Sequence, residues 1–339
     1  MAVTINTNIS SIIAQRSLNN ATNAMNKSIE RMSTGYKINN AQDNAAGYSI
    51  ANMWETKLGS LDVAMDNAAT GLDMLTTAEE TYGLLTSHLQ RVRDLTEQAA
   101  NGTYGSQSLK AIQSEVSARL LEINRIAANS EFNGIKLMAY NEDGDGNEAV
   151  GMTAAGINLQ VGLYADVNSV INLDVELFSN ASLTGLFSTK LASETLGGVN
   201  SLETLITNAG GVVAELGTFD NVEAFAAACC GLTYEGDNTF YLQTDEDSTA
   251  TEMLKFLDAA IDDLSSRVTR IGAAQNRVQS AASALDVQSQ NLTSSLSTLR
   301  DTDIAEESST YIQQQILQQS SATLLSTANQ LPSIALNLV

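Results

Sequence analysis

One proline, one histidine, one tryptophan and two cysteines among 339 residues exclude a great deal. Proline inside a helix costs about 3 kcal/mol, and the only one, Pro332, lies close to the C-terminus, so long uninterrupted helices are open to this chain. Aromatic residues make up only 5% of the sequence, which argues for thin helical layers instead of a thick globular core. With His88 as the single imidazole, no His-x-x-x-His metal pair and no Cys/His zinc set can be assembled. His88 itself reads as a solvated group on a helix surface. Cys229 and Cys230 are adjacent, too close for an ordinary disulfide staple, and read as small apolar residues in a helix. No Gly-rich phosphate loop with its lysine is present. No cofactor, no metal and no catalytic set is expected, so the chain is not read as an enzyme.

Membrane spans need about 18 consecutive apolar residues, and no window supplies them, so no membrane insertion is expected. The opening MAVTINTNISSIIAQRS has neither the basic start nor the apolar stretch of a signal peptide, so any export needs a dedicated machine. Formal charge is −22, unevenly spread: −2 over residues 1–140, −16 over 141–250 and −4 over 251–339. Nearly neutral ends can pack against copies of themselves, whereas an acidic middle repels its own kind. No basic cluster offers counterion release to nucleic acid.

What is present is apolar spacing of alternating three and four residues. One run takes in Trp54, Leu58, Leu61, Met65, Ala68, Leu72, Leu75, Glu79, Tyr82, Thr86 and Leu89. A second runs from Leu254 through Leu257, Ile261, Leu264, Val268, Ile271, Gln275 and Val278 to Leu299, a helix on the order of 70 Å long. Such a rod needs a partner along its length, and the first run is the obvious one. Between them Leu109, Ile112, Val116, Leu120, Ile123 and Ala127 define a third helix, bounded by Asn101-Gly102 and Asn133-Gly134, so an antiparallel helical hairpin is expected. Residues 131–137 read as a tight turn within a short strand pair.

Both extreme ends are weakly hydrophobic helices with few charges. Ala14, Leu18, Ala21, Met25, Ile29 and Met32 share one face, as do Leu317, Leu324, Ala328, Leu331 and Ala335. Helices of this kind are marginal alone and gain stability by packing. Residues 141–250 read as a small α+β insert projecting from the helical stem, with an alternating run at 167–173 and Gly pairs at 197–198 and 210–211. Asp143-Gly144-Asp145-Gly146-Asn147 starts like a calcium loop, but Glu148 and Ala154 stand where the glycine and the bidentate glutamate belong. Asp245-Glu246-Asp247 reads as a solvated charge run.

Several long motifs in order resemble bacterial flagellin. They include Ile5-Asn6-Thr7-Asn8, Ile29-Glu30-Arg31-Met32-Ser33-Thr34-Gly35-Tyr36-Lys37, Asp43-Asn44-Ala45-Ala46-Gly47-Tyr48-Ser49-Ile50-Ala51-Asn52 and Leu89-Gln90-Arg91-Val92-Arg93-Asp94-Leu95. Phe132-Asn133-Gly134-Ile135-Lys136-Leu137, Arg270-Ile271-Gly272-Ala273-Ala274-Gln275-Asn276-Arg277, Asp301-Thr302-Asp303-Ile304-Ala305 and Ala328-Asn329-Gln330-Leu331-Pro332 continue the match. Coverage is about 1–140 and 251–339. The fold the resemblance implies is mainly α. Long antiparallel coiled-coil and bundle helices come from both ends, with a small β-hairpin and an inserted α+β variable domain. Residues 1–45 and 301–339 then form a terminal coiled coil, 46–140 and 251–300 a helical bundle, and 141–250 the acidic surface domain.

The same resemblance implies a homopolymer: a secreted, extracellular flagellar filament used for swimming motility. Unfolded export through the flagellar type III apparatus is implied, with a secretion chaperone, a filament cap and hook-filament junction proteins as partners. The polymerisation and coiled-coil seam is expected at Leu18, Met25, Ile29, Met32, Leu317, Leu324 and Leu331. Host Toll-like receptor 5 recognises many flagellins, and the matching positions are Arg91 and Leu95, with Glu115 on the neighbouring helix. An exposed arginine and leucine one turn apart would provide a charged and an apolar anchor.

Three other readings compete. A hook-filament junction protein shares the terminal helices, but both ends match flagellin closely. A flagellin with a zinc-peptidase insert needs His-Glu-x-x-His, which one histidine excludes. An acidic secreted adhesin on a helical stalk would owe its function to 141–250, whereas a filament subunit would tolerate loss of that segment.

Overall fold

The computed structural model describes residues 8–138, 156–164, 166, 169–173, 175–178, 181–187, 219–230, 232–234, 240–242 and 249–336. The 143–147 loop, both Gly pairs and the 245–247 charge run lie outside these. Seven α-helices occur among the described residues: α1 (Ile9–Thr34), α2 (Ala45–Ala99), α3 (Ser106–Asn129), α4 (Leu183–Leu186), α5 (Phe219–Cys229), α6 (Thr249–Arg300) and α7 (Ile304–Leu336). Three antiparallel strand pairs accompany them: β1 (Glu131–Phe132) with β2 (Ile135–Lys136), β3 (Ile157–Gln160) with β4 (Val170–Leu173), and β5 (Leu232–Tyr234) with β6 (Phe240–Leu242). The chain forms two compact units, Met1–Asp62 with Asp286–Val339, and Val63–Leu285. Helices α2 and α6 contribute to both.

In the Val63–Leu285 unit α2 and α6 run antiparallel, as two cross-helix bonds show. Gln275 Nε2 donates to Glu79 Oε2 at 2.8 Å, and Arg93 Nε to Asp258 Oδ1 at 2.5 Å. Glu79 and Gln275 are each a polar interruption of one of the two apolar runs, and each satisfies the other. The buried stripe of α2 keeps Leu61, Ala68, Leu75, Tyr82 and Leu89 of the expected run, but its alternate positions fall one residue earlier than expected. Ala64, Gly71, Ala78 and Leu85 are buried, while Met65, Leu72, Glu79 and Thr86 are half-buried flanks. Small residues at the contact leave room for neighbouring side chains, and at Gly71 an added Cβ would lie 2.6 Å from the Leu159 side chain of β3.

Helix α3 buries the expected face, Leu109, Ile112, Val116, Leu120, Ile123 and Ala127. It runs antiparallel to α2, with Arg91 bonded to Glu115 and Ser130 to Thr81. His88 is half-buried and stands 3.5 Å from Arg119 NH1, so it is not the freely solvated group expected from its neighbours in sequence. Between β1 and β2, Asn133 (φ 50°) and Gly134 (φ 80°) both take the left-handed conformation, the type I′ geometry that Asn-Gly favours.

The described part of 141–250 is packed into the same core, not projected from it. Phe178, Phe187 and Phe225 are fully buried, the Tyr82 hydroxyl donates to the Leu177 carbonyl at 3.1 Å, and Leu183 N donates to Asn124 Oδ1 at 2.9 Å. Cys229 and Cys230 close this core at the end of α5 as buried thiols. Burial pushes Cys229 up to about 12 and raises Cys230 further.

The unit built from the chain ends is mainly α1 against α7. Asn8 caps α1, its Oδ1 accepting from Ser11 N at 3.1 Å, and Gly35 (φ 76°) ends it in the left-handed conformation with its N–H on Arg31 O. Asp303 caps α7 by accepting from Ala305 N at 2.8 Å. Asn44 Oδ1 accepts from Gly47 N at 3.0 Å, opening α2. Gly47 has no room for a side chain: a Cβ would lie 2.8 Å from buried Ile38.

A candidate self-association surface on the paired terminal helices

Contacts between α1 and α7 pair residues whose numbers sum to nearly the same value, the mark of an antiparallel pair in constant register. Asn8 Nδ2 donates to Ala328 O at 2.7 Å, Ser11 Oγ to Asn329 Oδ1 at 2.7 Å and Gln318 Nε2 to Thr22 Oγ1 at 3.1 Å, while Arg31 faces Glu307 at 3.5 Å. The seam on α1 is Ser11, Ala14, Leu18, Ala21, Met25, Ser28 and Met32, all buried or half-buried. Facing it on α7 are Glu307, Tyr311, Gln314, Gln318, Ser321, Leu325 and Ala328, again at strict four-three spacing. This seam is small and polar for two helices of 26 and 33 residues.

Within the α1–α7 pair, Leu18, Met25 and Met32 lie in the coiled-coil seam, whereas Ile29, Leu317 and Leu324 lie outside it. Those three are exposed, because Ser28 takes the α1 position and Gln318, Ser321 and Leu325 take the α7 positions. Leu331 lies within α7, but its side chain is outside the described residues. Many large apolar side chains of both helices face outward: Ile9 is 66% exposed, Ile12 61%, Ile316 60% and Leu324 59%, with Ile13 and Ile312 over half exposed. Apolar side chains left in water in this number mark an interaction surface. Sequence spacing concealed it, since the eye pairs large apolar residues into a seam. The available signal was the lack of charge: no Asp, Glu, Lys, Arg or His occurs between Ser308 and Leu336.

Next to the seam a groove of about 650 Å³ is lined by residues of both helices, among them Ser10, Ile13, Ser17, Leu324 and Thr327. At the far end of the unit, two of the quoted motifs meet. Lys37 N donates to Arg300 O at 2.6 Å and Thr302 N to Gly35 O at 2.9 Å, bridging Tyr36 and Asp301. Arg300 lies 4.1 Å above the Tyr36 ring and is paired with Glu55. Nearby Lys27 sits 2.7 Å from Asp43, whose carboxylate also accepts from Asn39 N and Asn40 N. The Lys27 bond and these N–H groups hold the Asp43 carboxyl below its usual range.

In the other unit Arg91 and Glu115 come together as an exposed ion pair, 2.9 Å across α2 and α3, with Arg119 at 3.9 Å. Leu95 is not part of this surface. It is only 2% exposed and belongs to the hydrophobic core. The side chain after it, Thr96, is also buried and contacts the Cys229 thiol, so α5 closes over this stretch. Among the described residues no group of His, Cys, Asp and Glu could hold a metal ion, and no helix is long and apolar enough to cross a membrane.

The family model for the bacterial flagellin N-terminal helical region matches residues 5–143, and that for the bacterial flagellin C-terminal helical region matches residues 254–339. The chain belongs to the flagellin family. Among curated flagellins it is similar to Flagellin B of Vibrio cholerae, 34% identical over 375 residues and covering all of both chains. Polar flagellin F of Vibrio parahaemolyticus and Flagellin D of Vibrio anguillarum are each 33% identical, again over the full length of both chains. The solved structure of FliC from Burkholderia pseudomallei is 20% identical over 68% of this chain and 98% of its own, with a TM-score of 0.27, too low to bear on the fold. As a flagellin, the chain is a structural subunit of the flagellar filament and not an enzyme.

Proposed function

We propose that this flagellin is exported unfolded through the flagellar type III apparatus, folds beneath the filament cap, and polymerises through α1 and α7 into the extracellular filament that drives swimming. The observation that carries this is the apolar surface the terminal pair leaves in water: Ile9, Ile12, Ile13, Ile312, Ile316 and Leu324 are all over half exposed, while the seam buries few large apolar side chains and many small or polar ones. Such a pair is weak alone and gains its apolar burial from neighbouring subunits, at about 25 cal/mol per Å² removed from water. The same outward face suits a secretion chaperone, which would cover the C-terminal helix before export, and junction proteins with similar terminal helices at the filament base.

The experiment is seeded growth. Purified subunit mixed with sheared filaments should elongate them in electron micrographs, and chains lacking residues 1–40 or 305–339 should not. Elongation by the trimmed chains at the full-length rate would defeat the reading.

For Toll-like receptor 5, the Arg91–Glu115 pair supplies an exposed charged patch, whereas Leu95 acts only by supporting α2 from within. Receptor activation by the folded subunit that falls on Arg91→Ala and is unchanged by Leu95→Met would support this division. Loss with Leu95→Met in a fully folded subunit would overturn it.

A further inference from the structure

Two Asn-Gly dipeptides occur in the chain, Asn101-Gly102 at the turn between α2 and α3 and Asn133-Gly134 between β1 and β2. Asparagine before glycine is the least hindered setting for one intramolecular reaction, because no Cβ shields the following backbone nitrogen from the side-chain amide. That nitrogen attacks Cγ and gives its proton to solvent. The bond from Cγ to the amide nitrogen then breaks, ammonia leaves with a proton taken from solvent, and a five-membered succinimide remains. Water opens the ring at either carbonyl, leaving aspartate or isoaspartate. Ring closure requires Cβ of the asparagine and the following nitrogen to lie on the same side of the Cα–C bond, so local conformation sets the rate.

The two sites differ in that conformation. Asn133 (φ 50°) and Gly134 (φ 80°) form a type I′ turn, in which ψ of the first central residue is about 30°. Cβ of Asn133 then points away from the Gly134 nitrogen, and closure would need most of a half-turn about Cα–C. The flanking hairpin resists that rotation: Glu131 pairs with Lys136 at 2.9 Å, Leu137 N donates to Ser130 O at 3.0 Å, and Phe132 packs against the core. Asn101 is held in a different way. Its Oδ1 accepts from Thr103 N at 3.3 Å, which folds the side chain back over its own C-terminal peptide, beside the Gly102 nitrogen. The Thr103 N–H also stands where negative charge develops on Oδ1 during attack. Among the described residues nothing accepts from the Gly102 N–H, and Asn101, Gly102 and Thr103 are all exposed to water.

We infer that Asn101 is a site of spontaneous deamidation in the folded chain, with water as the co-reactant, and that its turn protects Asn133. This modification does not depend on the filament reading. It places a carboxylate just beyond the C-terminal end of α2, the negative end of the helix dipole, and its isoaspartate form adds a carbon to the backbone of the turn. Unfolding opens both dipeptides alike, so the preference is created by the fold.

The full-length chain, kept folded in warm, mildly alkaline buffer beside a sample in denaturant, tests this. Conversion at each dipeptide is followed by peptide mass spectrometry, and isoaspartate is confirmed by labelling with an isoaspartyl methyltransferase. Asn101 is expected to convert about ten-fold or more faster than Asn133 in the folded chain, and the two to convert within about three-fold of each other in denaturant. A smaller folded preference, or one of the same size in denaturant, overturns the inference. A Cβ added at Gly102 would meet no atom within 4 Å, so Gly102→Ala should keep the helix content while slowing conversion of Asn101 about ten-fold or more. Unslowed conversion in that variant would show that the Gly102 nitrogen is not the attacking group. Should the variant lose helix content, its rate in denaturant is compared with that of the unmodified chain, where the same slowing is expected and its absence counts in the same way.

Discussion

Replacing Leu95 by alanine should destabilise the Val63–Leu285 unit far more than it alters any surface. Leu95 is 2% exposed and lies in the cluster formed by α2, α3, α5 and α6. Truncation removes three carbons, worth about 0.8 kcal/mol each in transfer, and leaves a cavity the packed helices cannot fully close. The total is about 3 kcal/mol, within the range of about 2–5 kcal/mol for buried Leu→Ala changes. In a unit of this size each kcal/mol lowers Tm by roughly 2–4 °C, so scanning calorimetry should show a fall of roughly 6–12 °C. Arg91→Ala breaks only a half-exposed ion pair and should cost about 0–1 kcal/mol. Leu95→Met, nearly volume-conserving, should stay close to the parent. A Leu95→Ala chain melting within 1 °C of the parent would refute the argument, because Leu95 would then face solvent and could serve as an apolar anchor.

Three further outcomes are expected. Tyr82→Phe leaves the buried Leu177 carbonyl without its 3.1 Å donor and should cost about 1–3 kcal/mol in urea unfolding, with the helix content of the native state unchanged. Asp43 has a lowered pKa in the folded unit, so the stability it supplies is complete above the ordinary carboxylate range and is shed as pH falls through the lowered value. Asp43→Asn should accordingly flatten the acid limb of the stability profile of the terminal unit, and an unchanged limb would show that Lys27 and the 39–40 turn do not depend on that charge. Cys229 and Cys230 are buried with raised pKa values, so a thiol-specific chromogenic reagent should find almost no reactive thiol in the native chain and two in denaturant.

Periodicity in the sequence located the long helices well, because Leu257, Leu264, Ile271 and Val278 repeat at the spacing of one helix face and all are buried. Asn133-Gly134 fixed the turn for an equally local reason: few dipeptides accept two successive positive φ angles. Registers that depend on a partner were harder to read. Ala64, Gly71 and Ala78 are inconspicuous as apolar residues, yet they share the buried stripe of α2 with Leu61, Ala68, Leu75 and Tyr82, and at Gly71 the space is taken by Leu159. The bridge between Tyr36 and Asp301 was invisible for the same reason. Both motifs stand out in sequence, but 265 positions separate them and only the fold brings Arg300 over the Tyr36 ring. Residues 141–250 looked like a separable insert because their charge differs, and charge reports on the surface. Their Phe178, Phe187 and Phe225 belong to the bundle core, so excising the whole segment should unfold the unit instead of simply shortening it.

The terminal pair shows why periodicity alone misplaced its seam. Heptad reasoning assumes that the strongest apolar face turns inward, which holds for a coiled coil stable in isolation. Here the fully buried seam positions are Ala14, Ala21, Ser28, Glu307, Ser321 and Ala328, with Leu18, Met25, Met32, Tyr311 and Leu325 only half-buried between them, and the isoleucines are left in water. Small seam residues bring two backbones close but bury little area, so the pair supplies little of its own stability. Reversing the arrangement, with Ile312 and Ile316 inside, would give a sturdier monomer with nothing to offer a neighbour. Weak internal packing and strong external apolarity are therefore one property, in which stability is withheld from the single chain and released when copies assemble.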